Sequence, residues 1–123
     1  MDITPLVPKG RKTITGYGGG GFKINHEFIA GSLIVFAEAV LPWNIQDAKA
    51  LSLVDFAAVL AQEGVELLLI GTGRTTALIS PEIRAAFKAK NVAIDVMDTG
   101  AACRTFNVLL SEERRVAAAV MAV

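Results

Sequence analysis

The segment 98–107 holds the residue types with the greatest chemical potential in this chain, in the order Asp-Thr-Gly-Ala-Ala-Cys-Arg-Thr-Phe-Asn. Asp98, or the threonine after it, is predicted to cap a helix, which would put Cys103 in its first or second turn. A helix N-terminus and a neighbouring cation such as Arg104 both favour the thiolate over the thiol. Cys103 is therefore a candidate nucleophile or redox group, with His26 as a distant base. A lone cysteine in an alanine-rich helix is also the usual pattern of a small packed residue.

The start of this segment, Asp-Thr-Gly-Ala at 98–101, echoes the signature of aspartic proteases, in which two aspartates pair and a small homodimer could supply both. Those enzymes are all-β, whereas segments 52–63, 81–90 and 101–110 of this chain have helical patterns. We therefore interpret Asp98 as a helix cap.

A second candidate follows an aliphatic run and reads Gly-Thr-Gly-Arg-Thr-Thr at 71–76. Glycines at the carboxyl end of a parallel strand let a ligand approach the backbone, and Arg74 could hold a carboxylate or a phosphate. The next helix is predicted to begin only near Pro81, a gap too long for a standard phosphate cradle, so a surface loop with a solvated arginine is the alternative. If the strands pair in sequence order, 71–74 and 98–107 face one edge of the sheet. The candidate ligand- or partner-binding residues at this edge are Gly71, Thr72, Gly73, Arg74, Asp98, Thr99, Cys103, Arg104 and Asn107.

A third pattern is the glycine-rich segment, in which Gly16, Gly18 and Gly21 satisfy the G-x-G-x-x-G spacing of dinucleotide-binding loops. That loop works only when a helix follows, because the pyrophosphate binds at the helix N-terminus. Here 22–25 has the pattern of a strand, which favours a tight turn over a cofactor site.

Two kinds of element must position these residues. The first part of the chain predicts an antiparallel meander with strands at 13–15, 22–24, 27–29 and 33–36 and a loop at Pro42-Trp43. The second part predicts helices and strands in alternation, with helices at 52–64, 81–91 and 101–110 and strands at 65–70, 92–97 and 116–123. Ser80-Pro81-Glu82 is a clear helix start, since it combines a hydroxyl cap, a proline at the first helical position and an acid.

This alternation predicts parallel strands joined by right-handed helical crossovers. We expect a single α/β domain over residues 1–123 with a mixed β-sheet, in which an N-terminal antiparallel meander joins a βαβαβ-like parallel part and helices pack on the sheet. Residues 1–11 are predicted to be an extended N-terminal segment ahead of the domain proper at 12–123. Two locations are compatible with the pattern around three aromatic residues, the core and an interface: these residues are Tyr17, Phe22 and Trp43.

Composition excludes several classes of function. The chain has 123 residues, 12 Lys and Arg against 12 Asp and Glu, and 53% hydrophobic residues. Zero net charge argues against nucleic-acid binding, and the apolar content argues against disorder. One cysteine and one histidine give no disulfide framework and too few soft ligands for structural zinc, so we expect a cytoplasmic protein without a metal site.

The chain is also apolar for its size. Its mean hydropathy is +0.50, which predicts exposed apolar surface covered by a protein partner or by a second copy in a homo-oligomer. Residues 1–5 lack the pattern of a signal peptide, and no stretch predicts a transmembrane segment.

Five segments together resemble one known family: 14–22, 31–33, 42–43, 70–73 and 96–107. It is domain-of-unknown-function family 498, which includes the adipogenesis-associated domain protein and the mitochondrial respiratory complex I assembly factor 3. The resemblance spans about residues 14 to 120 and implies a single α/β domain with a mixed sheet. It implies no catalytic residue and no cofactor, since none is established for the family. The mitochondrial branch acts as a chaperone-like factor that binds a partner assembly factor and nascent subunits, and this chain, without a transit segment, resembles a bacterial-type member.

Two functions follow as hypotheses. One is a protein-interaction or assembly factor related to complex I assembly factor 3. The alternative is a small-ligand-binding protein or an enzyme with its site at the 71–74 and 98–107 sheet edge. A metabolite that raises the melting temperature would favour the second, and partner capture independent of Cys103 would favour the first.

Overall fold

The computed structural model describes residues 10–45 and 47–123, so the extended segment predicted at 1–11 falls mostly outside the described residues. The strands are β1 (Ile14–Gly18), β2 (Gly21–Ile24), β3 (Glu27–Ala30), β4 (Leu33–Val35), β5 (Val40–Pro42), β6 (Leu67–Gly71), β7 (Ala93–Met97) and β8 (Val116–Val120). The helices are a 3₁₀ helix at Leu53–Phe56 that runs into α1 (Ala57–Ala61), then α2 (Pro81–Ala89) and α3 (Thr99–Ser111).

These strands form two sheets. Sheet A is antiparallel with the order β1-β2-β3, and sheet B has the order β5-β4-β8-β6-β7. In sheet B, β6 is parallel to both β7 and β8, while β4 is antiparallel to both β5 and β8. The predicted mixed α/β class is confirmed, and so is the pairing of the two successive buried strands, since Leu67 aligns with Ala93 and Gly71 with Met97.

One detail of the predicted meander is wrong, because its fourth strand belongs to sheet B. The chain changes direction after β3 at Gly31, whose φ is 89°. Glycine adopts this left-handed conformation readily, whereas other residues are strained in it. Beyond it, Leu33 aligns with Val120, and β4 joins the last strand of the chain instead of β3. The glycine-rich segment is a hairpin turn between β1 and β2, as predicted, and a strand follows it.

Sheet B forms the middle layer of the molecule, with both of its faces covered. On one face β4, β6 and β8 pack against α3 and against the inner side of sheet A, where Phe22 and Phe106 are fully buried. On the other face they pack against the 3₁₀ helix, α1 and α2, where Phe56 and Phe87 are fully buried. Burial on both faces explains why the central strand β8 is a continuous run of apolar residues.

Local signals explain where the helices begin. The Ser80 hydroxyl accepts a hydrogen bond from the Ile83 amide at 3.3 Å, and Pro81 occupies the first helical position, as predicted. The helix predicted at 52–64 is shorter and starts as a 3₁₀ turn, in which the Asp55 carbonyl accepts from the Trp43 indole at 2.7 Å. No helix in the described part of the chain is both long and apolar enough to cross a membrane.

The Pro42-Trp43 pair differs from the predicted loop. Pro42 ends the edge strand β5. Proline has no amide hydrogen, and at this position the sheet loses no hydrogen bond because of it. Trp43 is a core residue, 4% exposed, with its ring 5.5 Å from that of Phe56.

Candidate functional site

The carboxyl ends of the parallel strands meet around the fully buried Thr99. Its amide donates to the Gly73 carbonyl at 2.8 Å, and the Gly73 amide donates to the Thr99 hydroxyl at 3.0 Å. The same hydroxyl donates to the Met121 carbonyl at 2.8 Å. The loops after β6 and β8 are therefore tied to the start of α3 through one side chain, and the predicted convergence of 71–74 with 98–107 is present in the fold.

The loop after β6 is closed by hydrogen bonds between its own residues. The Thr72 hydroxyl donates to the Thr75 carbonyl at 2.8 Å and accepts from the Ala77 amide at 2.9 Å, which closes the loop on itself. Gly73 has a φ of 98°, a left-handed conformation that favours glycine. Arg74, the candidate anion-binding residue of this loop, is exposed. The geometry is that of the surface loop that we considered as the alternative.

Gly71 has a packing role. A β-carbon on it would lie 3.0 Å from the Thr99 α-carbon and 3.1 Å from the Ala102 β-carbon. The glycine therefore lets α3 approach β6 closely, and the helix occupies the space beside its α-carbon.

Asp98 caps α3, as predicted: its Oδ1 accepts from the Ala101 amide at 2.9 Å. This cap satisfies one of the amides that a helix N-terminus leaves without an intrahelical partner. The carboxylate thus has a structural partner in the chain itself.

Of the two interpretations of Cys103, the structure favours the small packed residue over the activated thiol. Cys103 lies on the inner face of α3 and is 2% exposed. Burial raises the pKa of its thiol to about 12, which outweighs the nearby Arg104 cation. His26, the distant base considered with it, is exposed in the turn between β2 and β3, where its amide donates to the Thr15 hydroxyl. Cys103 is a packed core residue.

A thiol-reactive aromatic disulfide is therefore expected to label Cys103 in the folded protein on the order of a thousandfold more slowly than in the unfolded chain at pH 8, because the thiolate is the reacting form. The folded-state pKa is raised, so the thiol stabilises the fold below the unfolded-state pKa, and this contribution is lost as the pH rises toward about 12. Stopped-flow labelling with and without urea measures the ratio. Equal rates in the two states would contradict this assignment.

Asn107 clamps sheet A onto α3. Its Oδ1 accepts from the Ile14 amide at 2.9 Å, and its Nδ2 donates to the Ile14 carbonyl at 2.7 Å. Both backbone groups at this position of β1 are satisfied by one side-chain amide, which acts like a neighbouring strand. Asn107 was predicted as a binding residue, and the geometry gives it a structural partner 93 positions away.

Arg104 is the member of the segment 98–107 that meets another side chain at the surface. Its Nη1 donates to the Tyr17 hydroxyl at 3.1 Å, and Tyr17 is 47% exposed. Tyr17 lies over Gly100, where a β-carbon would be 2.6 Å from the tyrosine oxygen. Sequence reasoning left Tyr17 unassigned, although a glycine in the first turn of a helix is a signal that another group lies against it.

Sequence reasoning also missed a cleft at the opposite ends of β6 and β8. It has a volume of about 420 Å³, and three arginines and three glutamates line it, so that its charges balance. The arginines are Arg11, Arg114 and Arg115, and the glutamates are Glu38, Glu63 and Glu113. Nearby, the hydrogen bond from Arg114 to Glu66 at 2.6 Å lowers the pKa of that carboxyl.

Comparison with known proteins places these features in a family. Residues 14–121 match a family described as "Protein of unknown function (DUF498/DUF598)". An uncharacterized protein of Rhodobacter capsulatus is 40% identical over 113 residues, which are 91% of this chain and 86% of that protein. The "NADH dehydrogenase [ubiquinone] 1 alpha subcomplex assembly factor 3" of Xenopus tropicalis is 36% identical over 106 residues, 85% of this chain, and the match spans 58% of the length of that relative.

Solved structures share the fold. "An outer membrane protein" from Bartonella henselae superposes with a TM-score of 0.85 at 38% identity and covers 93% of this chain and 97% of its own. A protein of Rhodopseudomonas palustris, determined by NMR, superposes with a TM-score of 0.80 at 32% identity and covers 100% of this chain and 93% of its own. The arrangement of sheets A and B is thus found in bacterial relatives of similar length.

Proposed function

Since this chain belongs to the DUF498/DUF598 family of proteins of unknown function, we propose that it acts through protein–protein contact as an assembly-type factor. Relatives that carry the name of a complex I assembly factor support this proposal. We further propose that its partner takes part in building a respiratory NADH dehydrogenase. The cytoplasmic location expected from the low cysteine count is part of the same proposal.

The exposed pair of Tyr17 and Arg104 is the observation that carries this function. The polar groups around it are used within the fold, since Thr99, Asp98 and Asn107 all hydrogen-bond to the chain's own backbone. A small ligand would have to compete with those bonds. Tyrosine and arginine, by contrast, are enriched among the residues that dominate protein interfaces.

Deleting the gene in the source organism is expected to lower the amount of fully assembled NADH dehydrogenase, measured on a native gel by in-gel activity. Expression of the wild-type chain should restore it. Tyr17→Ala and Arg104→Ala should restore much less, because truncating a central interface residue costs about 2 kcal/mol, or roughly 30-fold in affinity. Arg84→Ala is the matched control, since Arg84 is an exposed arginine on α2, on the other side of sheet B.

Two results would contradict the proposal: an unchanged level of assembled enzyme after deletion, or full rescue by both Tyr17→Ala and Arg104→Ala. A thermal-shift screen of metabolites tests the ligand-binding alternative on the same purified proteins. A ligand at 100 times its dissociation constant adds about 2.7 kcal/mol to the free energy of unfolding. A shift of that size, abolished by Arg74→Ala, would support a site at the 71–74 edge instead.

A further inference from the structure

Within the described residues, β3 is a sheet edge with no neighbouring strand on its outer side, whereas features at the other three sheet edges, β1, β5 and β7, hinder the addition of a strand. Among the described residues β3 pairs with β2 alone. The outer side of β1 is held by Asn107, and the edge strand β5 ends in Pro42, which has no amide hydrogen to donate. The edge strand β7 carries the exposed Asp95 at its centre, and a charge in this position discourages strand addition.

The alternation of the β2–β3 ladder shows which backbone groups of β3 point away from β2. Hydrogen-bonded and non-bonded pairs alternate along an antiparallel ladder. The Gly31 amide donates to the Gly20 carbonyl at 2.8 Å, so the bonded pairs are 20–31, 22–29 and 24–27. Phe28 and Ala30 therefore direct their amides and carbonyls away from β2, toward an incoming strand.

The side chains of β3 are apolar and exposed as well. Phe28 is 53% exposed on the outer face of sheet A, across from Lys23, and Ile29 is 37% exposed on the inner face, across from Phe22. All four residues of the strand are exposed, although two of them are large and apolar. Native proteins usually protect such an edge with charge, proline or a covering element. The one charge on β3 is Glu27 at its first position, and the centre of the strand is apolar.

We propose that β3 pairs antiparallel with β3 of a second copy, about a two-fold axis at Ile29, to give a continuous six-stranded sheet. In this register Phe28 lies opposite Ala30 of the second copy, and these two symmetric pairs make four backbone hydrogen bonds. Ile29 meets its own counterpart in a close, non-bonded pair, the arrangement in which apolar cross-strand contacts are strongest.

Charge and symmetry favour a second copy as the occupant. Glu27 of one copy falls opposite Gly31 of the other, so the two carboxylates do not face each other. The register therefore places no like charges opposite each other, and it satisfies the symmetry of a two-fold interface, in which the same surface is used by both copies. Four residues a side bury less than the roughly 800 Å² per partner of a standard interface, so the dimer should form weakly and depend on concentration.

Sedimentation equilibrium on the full-length chain tests this directly. The wild type should pass from monomer to dimer as its concentration rises. Ile29→Lys should weaken dimerisation about tenfold, because two lysines then face each other across the axis. Ile29→Glu should have the same effect alone, and an equimolar mixture of the two variants should recover the dimer. Val54→Lys, at an exposed valine of the 3₁₀ helix, is the control that should leave the equilibrium unchanged.

A cysteine scan tests the register. The native Cys103 is buried, so an added thiol at the surface reports alone. Under mild oxidation Ile29→Cys should form a disulfide-linked dimer, whereas Ala30→Cys and Val54→Cys should remain largely monomeric, because position 30 faces position 28.

Three results would overturn the proposal. One is a wild type that stays monomeric at every concentration. Another is a dimer that survives both Ile29→Lys and Ile29→Glu unchanged. The third is equal cross-linking at positions 29 and 54. None of these would bear on the proposed function, which is read from assembled enzyme and from Tyr17 and Arg104.

Discussion

Replacing Asn107 by alanine is expected to lower the free energy of unfolding by about 2–4 kcal/mol, which is large for a partly exposed side chain. The amide of Asn107 satisfies both the amide and the carbonyl of Ile14, and alanine would leave both groups without their partner. Leaving a buried donor or acceptor unsatisfied costs about 1–3 kcal/mol, so two such losses add to about 2–6 kcal/mol. Because Asn107 is only partly buried, we expect the lower part of that range.

Urea unfolding followed by tryptophan fluorescence measures this loss, since Trp43 lies in the core on the opposite face of sheet B. Hydrogen exchange should show the loss of protection concentrated at Ile14 and its neighbours in β1. Ser111→Ala is the control on the same helix: its hydroxyl bonds only locally, to the Val108 carbonyl, so we expect a change within about 0.5 kcal/mol. A loss from Asn107→Ala as small as that of the control would mean that water replaces the amide without cost.

The parts of the fold that the sequence predicts are those with local causes. The cap, proline and acid at Ser80-Pro81-Glu82 act within one helical turn, and the start of α2 lies where they indicate. The aliphatic runs of β6 and β8 reflect burial on both faces, which leaves a pattern along the chain. The pairing of β4 with β8 has no such local cause, because Leu33 and Val120 are distant in sequence, and a short apolar strand is compatible with either sheet.

In the candidate site, too, some features have local causes and others depend on residues that are distant in sequence. Its location was predictable, since parallel strands joined by crossovers bring their carboxyl ends to one edge, and the segments 71–74 and 98–107 do meet there. The Asp98 cap was predictable because it acts within one helical turn, whereas the roles of Asn107 and Arg104 were not, because residues that bond to another element are of the same types as those of a binding site. What separates them is burial and the identity of the partner. Asn107 bonds to Ile14 and Arg104 to Tyr17, and these partners lie in a different sheet.

Replacing Thr99 by valine is expected to have the largest effect of any isosteric change at this edge, about 2–5 kcal/mol of unfolding free energy. Valine keeps the shape of the fully buried side chain but removes the hydroxyl. The Gly73 amide then loses its bond at 3.0 Å, and the Met121 carbonyl loses its bond at 2.8 Å. Both groups lie beside the packed start of α3, where the close approach of Gly71 leaves little room for water.

Thr99→Ser separates the hydroxyl from the methyl group. Serine keeps both hydrogen bonds and removes one methyl, for which we expect a cost of about 1 kcal/mol from lost burial. Equilibrium unfolding in urea compares the variants, and hydrogen exchange at Gly73 should rise in the valine variant alone. If serine proves as costly as valine, the methyl contact stabilises this edge and the hydroxyl does not. If valine is the more costly, one buried hydroxyl holds together the loop after β6, the loop after β8 and the start of α3. The edge that resembles a ligand site then has a structural role, which is to hold Arg104 and Tyr17 at the surface.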